Sequence, residues 1–469
     1  MNTEPHIVIV GGGFSGAAVA IALMRLAPAG VRVTLLEPRP LPGAGVAYST
    51  AEPSHRINVP AARMQLATDE EGAFDRWYRE QPAFGTDPDA LREDGAAYPQ
   101  RGQFGLYVAR RFAEAAAASS GRLVHLQSSA QAFDEGVVVS ESGQRLKADL
   151  LVLAISHPPP SVPARLRPWL DHPGLIANPW QTERLDAIGT DARVAIMGTG
   201  LTMADTVAAL SRRGHRGPIT AFSRRGLLSR PNLSGEYPEW NGEYLRGNLR
   251  QRLRQIRADV ATAAEHGLPW QRVLDAVRNQ GQQIWQGLSI ADRLRFLRHL
   301  RSYWDVHRYR IAPQVADELA RRQYDGSLRV LAARLGALEA RGAALRLTLA
   351  VRQGQDLPGS LPLEVDNLIL TTGPAHGNLI SSQPFLRDLA RQELIRADAL
   401  NLGIDVDSQS RARGHRRDAA PPVFVSGPAA RARFGELMGL PQVADHAAFV
   451  AAEALTQLQI IHPERCPAS

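Results

Sequence analysis

The chain has almost no cysteine and almost no lysine: among 469 residues, Cys466 is the only cysteine and Lys147 the only lysine. A single cysteine excludes an intrachain disulfide, a thiolate zinc knuckle and a CxxC redox pair. Nor is there an uninterrupted apolar run long enough to span a bilayer. The candidate, from Ile7 to Ala27, is broken by Gly11, Gly12, Gly13 and Gly16, and no basic region precedes it. It reads as strand, turn and helix, so a cytoplasmic protein with no membrane partner is expected. HExxH, P-loop and nucleophile-elbow patterns are missing too, and no metal site is expected.

What is present is an ordinary globular composition, 44% hydrophobic and 22% charged, which argues against disorder. The length suggests two or three domains. The formal net charge is +7, and in a chain rich in Ala, Gly and Pro its near-exclusive use of arginine reads as coding bias. The arginine-rich stretch from Arg246 to Arg257 has no interleaved aromatics, so a solvated helix face is expected and no nucleic-acid partner.

Two strand-turn-helix units carry the chemistry. The first runs from the β-branched Ile7–Val10 through Gly11-Gly12-Gly13-Phe14-Ser15-Gly16 into an Ala- and Leu-rich helix. Gly11 permits the tight turn, Gly13 the approach of a diphosphate, and Gly16 close packing of helix on strand. Exposed N–H groups at the helix start favour a diphosphate, and Glu37, about 20 residues on, stands where an acid bonds ribose hydroxyls. The second unit, Val194–Leu210, keeps Gly198 and Gly200 and has Thr202, with Met203 at the third glycine position. After its next strand come Ser223, Arg224 and Arg225 in place of an acid. An acid would repel a 2′-phosphate, whereas arginines would bind it, so this unit is expected to prefer NADPH to NADH. Two dinucleotide sites without a cysteine pair point to a flavoprotein passing hydride from NADPH to FAD.

These residues resemble a known group. The segments GGGFSG with Glu37, GAGVAYST, INVPAARM, GTGLTMAD and WDVHRYRIAP look like a bacterial FAD/NAD(P)-binding protein family. That family is related to the two-dinucleotide-domain flavin monooxygenases, of the N-hydroxylase and flavin-containing monooxygenase type. The resemblance covers nearly the whole chain. It implies that Asn58, Val59 and Met64 line the flavin and that Arg101 lies near FAD. It implies that Thr372-Gly373 closes the NADPH domain onto FAD, and that Gly427 and Leu437 belong to the C-terminal part facing the isoalloxazine. The segment His172–Trp180 lacks the phenylalanine and spacing of the FxGxxxHxxxW linker fingerprint, which puts Baeyer–Villiger chemistry in doubt.

The expected fold is therefore α/β, with two Rossmann-like dinucleotide-binding domains, for FAD and NADPH, and a helical insertion. The expected limits are 1–185 for the first part of the FAD domain, 186–365 for the NADPH domain with its insertion at about 236–325, and 366–469 for the second part of the FAD domain. The expected activity is NADPH-dependent monooxygenation of a small nitrogen, sulfur or carbon nucleophile with molecular oxygen, through a C4a-(hydro)peroxyflavin. An NADPH-dependent flavin reductase or dehydrogenase, and a non-catalytic FAD-binding redox sensor, stay open as alternatives. No side chain is singled out as catalytic. His307 and Trp304 in the insertion read either as pocket wall or as packing onto the core.

Overall fold

In the computed structural model the described residues are 4–464, leaving out 28–29, 68, 156–157, 159, 356, 375 and 417–420. Cys466 and part of the proline run after Ile155 lie outside them.

The first sheet is wholly parallel and is ordered Val423–Val425, Leu150–Leu153, His6–Val10, Arg32–Leu36, Leu123–Leu126. Ile7, Val8 and Ile9 are fully buried on both faces, as expected for strands covered by helices on each side. Each such side chain contributes roughly 1.5–3 kcal/mol by leaving water. The chain order places the switch point between His6–Val10 and Leu150–Leu153, where ligands of doubly wound sheets bind. The final strand, Val423–Val425, pairs with Leu151–Leu153, so this unit is assembled from both ends of the chain.

The second sheet repeats the plan. Val194–Met197 is flanked by Ile219–Ser223 and Leu328–Arg341 on one side and by Asn367–Leu370 on the other. Its strands reach past the expected limits at both ends. Leu175–Ile176 pairs with Leu368–Ile369, and Asn367–Leu370 pairs with Val194–Met197, so residues outside 186–365 at both ends join this sheet. The helix Pro313–Tyr324 also leaves the expected insertion. It is the crossover that returns to Leu328–Arg341, and it packs on the helix Leu201–Arg212.

Two antiparallel pieces were not anticipated. One is the three-stranded sheet Ala130–Asp134, Val137–Ser140, Arg145–Lys147, and the other extends the second sheet through Ala344–Val351 and Ser360–Val365. The helices of the insertion run from Leu249 to Arg308. Their last long rod, Ile290–Arg308, is widened to a π turn at Phe296–Leu300.

Two histidines are locked neutral inside this frame. The His446 ring accepts the Gly427 N–H through Nδ1 at 3.1 Å and faces the Ser410 hydroxyl at 3.2 Å through Nε2. Burial among Phe434 and Phe449 holds it down at about 3. His6, hydrogen-bonded to Thr34, is held at about 4 by burial and by Arg32, against the opposing pull of Asp149. In both cases the folded value lies below the ordinary one, so the unfolded chain binds the extra proton. Their stabilisation is fully present above about pH 6.5 and is lost as pH falls toward 4 and 3. Unfolding free energy measured by urea titration should fall between pH 7 and 5.5. His446→Leu should reduce that fall by about 1.2 kcal/mol over the window; an unaltered fall contradicts the assignment.

Candidate functional site

Both glycine turns are shaped by the same crowding. Gly11 has φ +96°, donates its N–H to the Leu36 carbonyl, and lies so close to the Ala154 carbonyl that a Cβ would collide with it. Gly198 has φ +128°, donates to the Phe222 carbonyl, and is pressed in the same way against Thr371. In each unit the turn is wedged between the ends of the two strands that flank its own, Arg32–Leu36 and Leu150–Leu153 in the first and Ile219–Ser223 and Asn367–Leu370 in the second, and only glycine fits. A Cβ at Gly16 would collide with the Gly11 carbonyl, so the first helix packs tightly on its strand. At the matching position Met203 is fully buried in the core.

The shared backbone register makes Glu37 and Ser223 equivalent, because each follows the residue that accepts the first glycine's N–H. Glu37 is buried, accepts the Gly12 N–H at 2.9 Å and is bonded by Arg39 through its backbone and side chain. In the second unit Thr199 Oγ1 bonds the Ser223 hydroxyl at 2.8 Å and the Leu227 carbonyl at 2.6 Å. The acid of the first site is thus a hydroxyl in the second, and Arg224 follows it. The helices Phe14–Leu26 and Leu201–Arg212 begin at Gly13 and Gly200, and neither start is capped by a side chain. Both turns therefore fit the diphosphate of a dinucleotide.

The structure separates the two arginines expected at the second turn. Arg224 is exposed on the wall of a cavity of about 1780 Å³ that begins at Gly198–Thr202. Arg225 turns to the insertion, donating to the His299 carbonyl of the π turn at 3.1 Å and lying over Tyr303 at 4.7 Å. Thr372 and Gly373 reach the same cavity, and Thr372 is tied to the Ser161 carbonyl. Gly427, with φ +82°, is pressed against Ser15, which brings the C-terminal strand to the first turn. Phe14 stacks on Phe104 at 5.7 Å. The loop at Gly43–Gly45 covers the first turn, with Gly43 N–H bonded to the Gly12 carbonyl.

Other expected residues have structural partners. Met64 and Leu437 are buried in the hydrophobic clusters, and Val59 packs against one of them. The Asn58 carbonyl accepts from Asn232 at 2.7 Å, which ties the insertion's root to the first unit. Arg101 is not free for a cofactor phosphate, because its fork grips Asp205 at 2.9 and 3.0 Å and its Nε bonds the Arg56 carbonyl. Trp304 and His307 resolve in both directions. The Trp304 indole donates to Glu436 at 2.9 Å, anchoring the insertion, while both residues also line the cavity.

The pairings that join the units were not read from sequence. Asp205 and Glu52 join the units, since Glu52 is buried and bonded by Arg212 at 2.6 Å and Arg213 at 2.6 Å. Burial alone would raise the Glu52 carboxyl, but bonds from Arg212, Ser54 and Arg213 overcome it and hold the group at about 2. Glu436 accepts both Trp304 and the buried Arg308, at 2.8 Å. Arg431 shares the cavity wall. Asp205 closes the segment GTGLTMAD, but nothing local shows its pairing or that of Glu52 and Glu436, whose partners lie far away in the chain. No cluster of three potential metal ligands occurs among the described residues.

Two outcomes check this geometry. Asp205→Asn should cost about 3–5 kcal/mol by stranding a buried arginine, read by chemical denaturation; a loss under 1 kcal/mol contradicts the clasp. Arg224→Ala should remove the preference for NADPH over NADH in binding titrations, while Arg225→Ala should preserve it. Equal loss in both variants contradicts the division of labour.

Residues 8–158 match the family model described as FAD-NAD(P)-binding. A search of the curated proteins by sequence gives no match. Solved structures share the architecture end to end. An L-lysine 6-monooxygenase from Pseudomonas syringae is 18% identical with TM-score 0.63, covering 98% of this chain and 99% of that one. An ornithine N-hydroxylase from Kutzneria sp. 744 is 16% identical with TM-score 0.64, covering 97% and 100%. A cadaverine monooxygenase from Erwinia amylovora is 15% identical with TM-score 0.59, covering 100% and 97%. Residues 8–158 thus resemble an FAD-NAD(P)-binding domain, and the chain as a whole has the fold of these three structures.

Proposed function

We propose that the protein is an NADPH-dependent flavin monooxygenase that uses molecular oxygen to oxygenate a nucleophilic nitrogen, sulfur or carbon of a small molecule. One observation carries this reading. The second glycine turn, the Thr372-Gly373 segment, the C-terminal residues Glu436 and Met438 of the first unit, and the insertion all open on a single cavity. A nicotinamide donor held at Gly198–Thr202 would thus share a space with the edge of the first unit. The N-oxygenating enzymes of the same fold, named for lysine, ornithine and cadaverine, favour nitrogen among the three centres.

Bound FAD would supply hydride acceptance and oxygen activation. The chain's own part is binding, orientation and exclusion of water. Gly11–Gly16 and Glu37 hold one dinucleotide, and Gly198, Gly200, Thr202 and Arg224 hold the other. The insertion roofs the cavity through Trp285, which donates to the Ala432 carbonyl, and Trp304, which donates to Glu436. Keeping water out favours oxygen transfer over loss of peroxide. Among the described residues no helix is long and apolar enough to cross a membrane, which supports a cytoplasmic location.

The test is NADPH oxidation in isotopically labelled oxygen with panels of amines and thiols, read by mass spectrometry. Label in a product, with less peroxide than NADPH consumed, is expected. Stoichiometric peroxide with every compound overturns the proposal in favour of a reductase or oxidase.

A further inference from the structure

The cavity wall identifies a kind of occupant. Apart from the nucleotide turn, its surface is dominated by the insertion's apolar side chains, among them Leu253, Trp270, Trp285, Leu297, Leu300 and Trp304. Only two acids reach it, Asp305 and Glu436, and both are already matched. Asp305 lies 3.3 Å from Arg301, and Glu436 lies 2.8 Å from Arg308. A substrate ammonium would find no open carboxylate there among the described residues.

Arginine is the opposite case. Two arginines of the wall are buried, Arg252 and Arg431. Arg252 is engaged by the carbonyls of Leu245, Arg246 and Ile284. Arg431 is 5% exposed, and its one bond is from Nη1 to the Met438 sulfur at 3.1 Å. Its Nε and Nη2 are buried with no hydrogen-bond partner among the described residues. A guanidinium in that position is costly unless an anion completes it. Burial and nearby Arg301 lower it to about 10, so it remains charged at neutral pH. The segment that carries it, Arg431–Phe434, is also where Trp285 and Arg293 dock the insertion, so the open edge sits at the seam between the roof and the first unit.

We propose that Arg431 is the anchor for a carboxylate on an otherwise apolar substrate, so that the cavity selects amphiphilic acids and disfavours free diamines. The occupant is taken as the substrate of the proposed oxygenase. The binding measurement below needs no turnover, so it succeeds or fails independently of that chemistry.

The probe is 8-anilino-1-naphthalenesulfonate, an apolar aromatic anion, compared by fluorescence titration with its uncharged counterpart N-phenyl-1-naphthylamine. Both are titrated into FAD-loaded protein with NADP⁺ saturating, which keeps the nucleotide arginines occupied. The wild type should bind the anion more tightly and release it to dodecanoate more readily than to dodecylamine. Arg431→Gln should weaken the anion about ten- to a hundredfold and leave the neutral probe unchanged, and Arg431→Lys should restore part of the difference. Equal binding of the two probes by wild type, displacement by dodecylamine as readily as by dodecanoate, or equal weakening of both probes in Arg431→Gln overturns the proposal. The first two comparisons need no variant and hold even if Arg431→Gln fails to fold.

Discussion

Everything in this fold depends on how tightly each glycine turn is wedged between strand ends. Gly11 and Gly198 sit at φ values open mainly to glycine, with Ala154 and Thr371, each the residue after a flanking strand, directly against them. The same contact that forces glycine also brings that flanking strand to the turn. This is why Ala154 borders the first site and Thr371–Gly373 the second. One packing rule, applied twice, sets both sites at the carboxyl edge of their sheets.

Duplication also lets the differences be read residue against residue. Where Glu37 closes the first site, Ser223 and then Arg224 stand in the second. The exchange of one carboxylate for a hydroxyl and a cation reverses which ribose substituent is welcome. The two units are then joined by charge buried at their seam. Arg101 grips Asp205, and Glu52 receives two arginines from the end of the helix Leu201–Arg212. Such pairs are poor sources of net stability but costly to break singly, so they act chiefly to fix the relative position of the sites. The insertion is held by the same means, through Glu436.

Local pattern made the nucleotide turns legible. Alternating β-branched residues, glycines at fixed offsets and an Ala-rich helix depend on neighbours in sequence, and the structure has both units where they were expected. The expected limit at 366 grouped Asn367–Leu370 with the FAD unit, whereas the strand pairs with Val194–Met197, a long-range choice that its own residues do not encode. The long hairpin at 328–365 was missed for a related reason: its outer faces are polar and its burial comes from one side only. The arginines were the least legible of all. Arg101 as clasp, Arg225 as dock and Arg431 as a buried cation at the cavity wall are alike in sequence and distinct in partners. The arginines behind the +7 charge are dispersed over such separate roles.

The central claim is that the two turns serve one redox site. Its most direct test is the absorbance of the FAD-loaded protein on anaerobic addition of NADPH. The account predicts bleaching of the oxidised flavin band, abolished when Gly198 is replaced by valine and nucleotide entry is blocked. A flavin band that persists while NADPH binds tightly would contradict it.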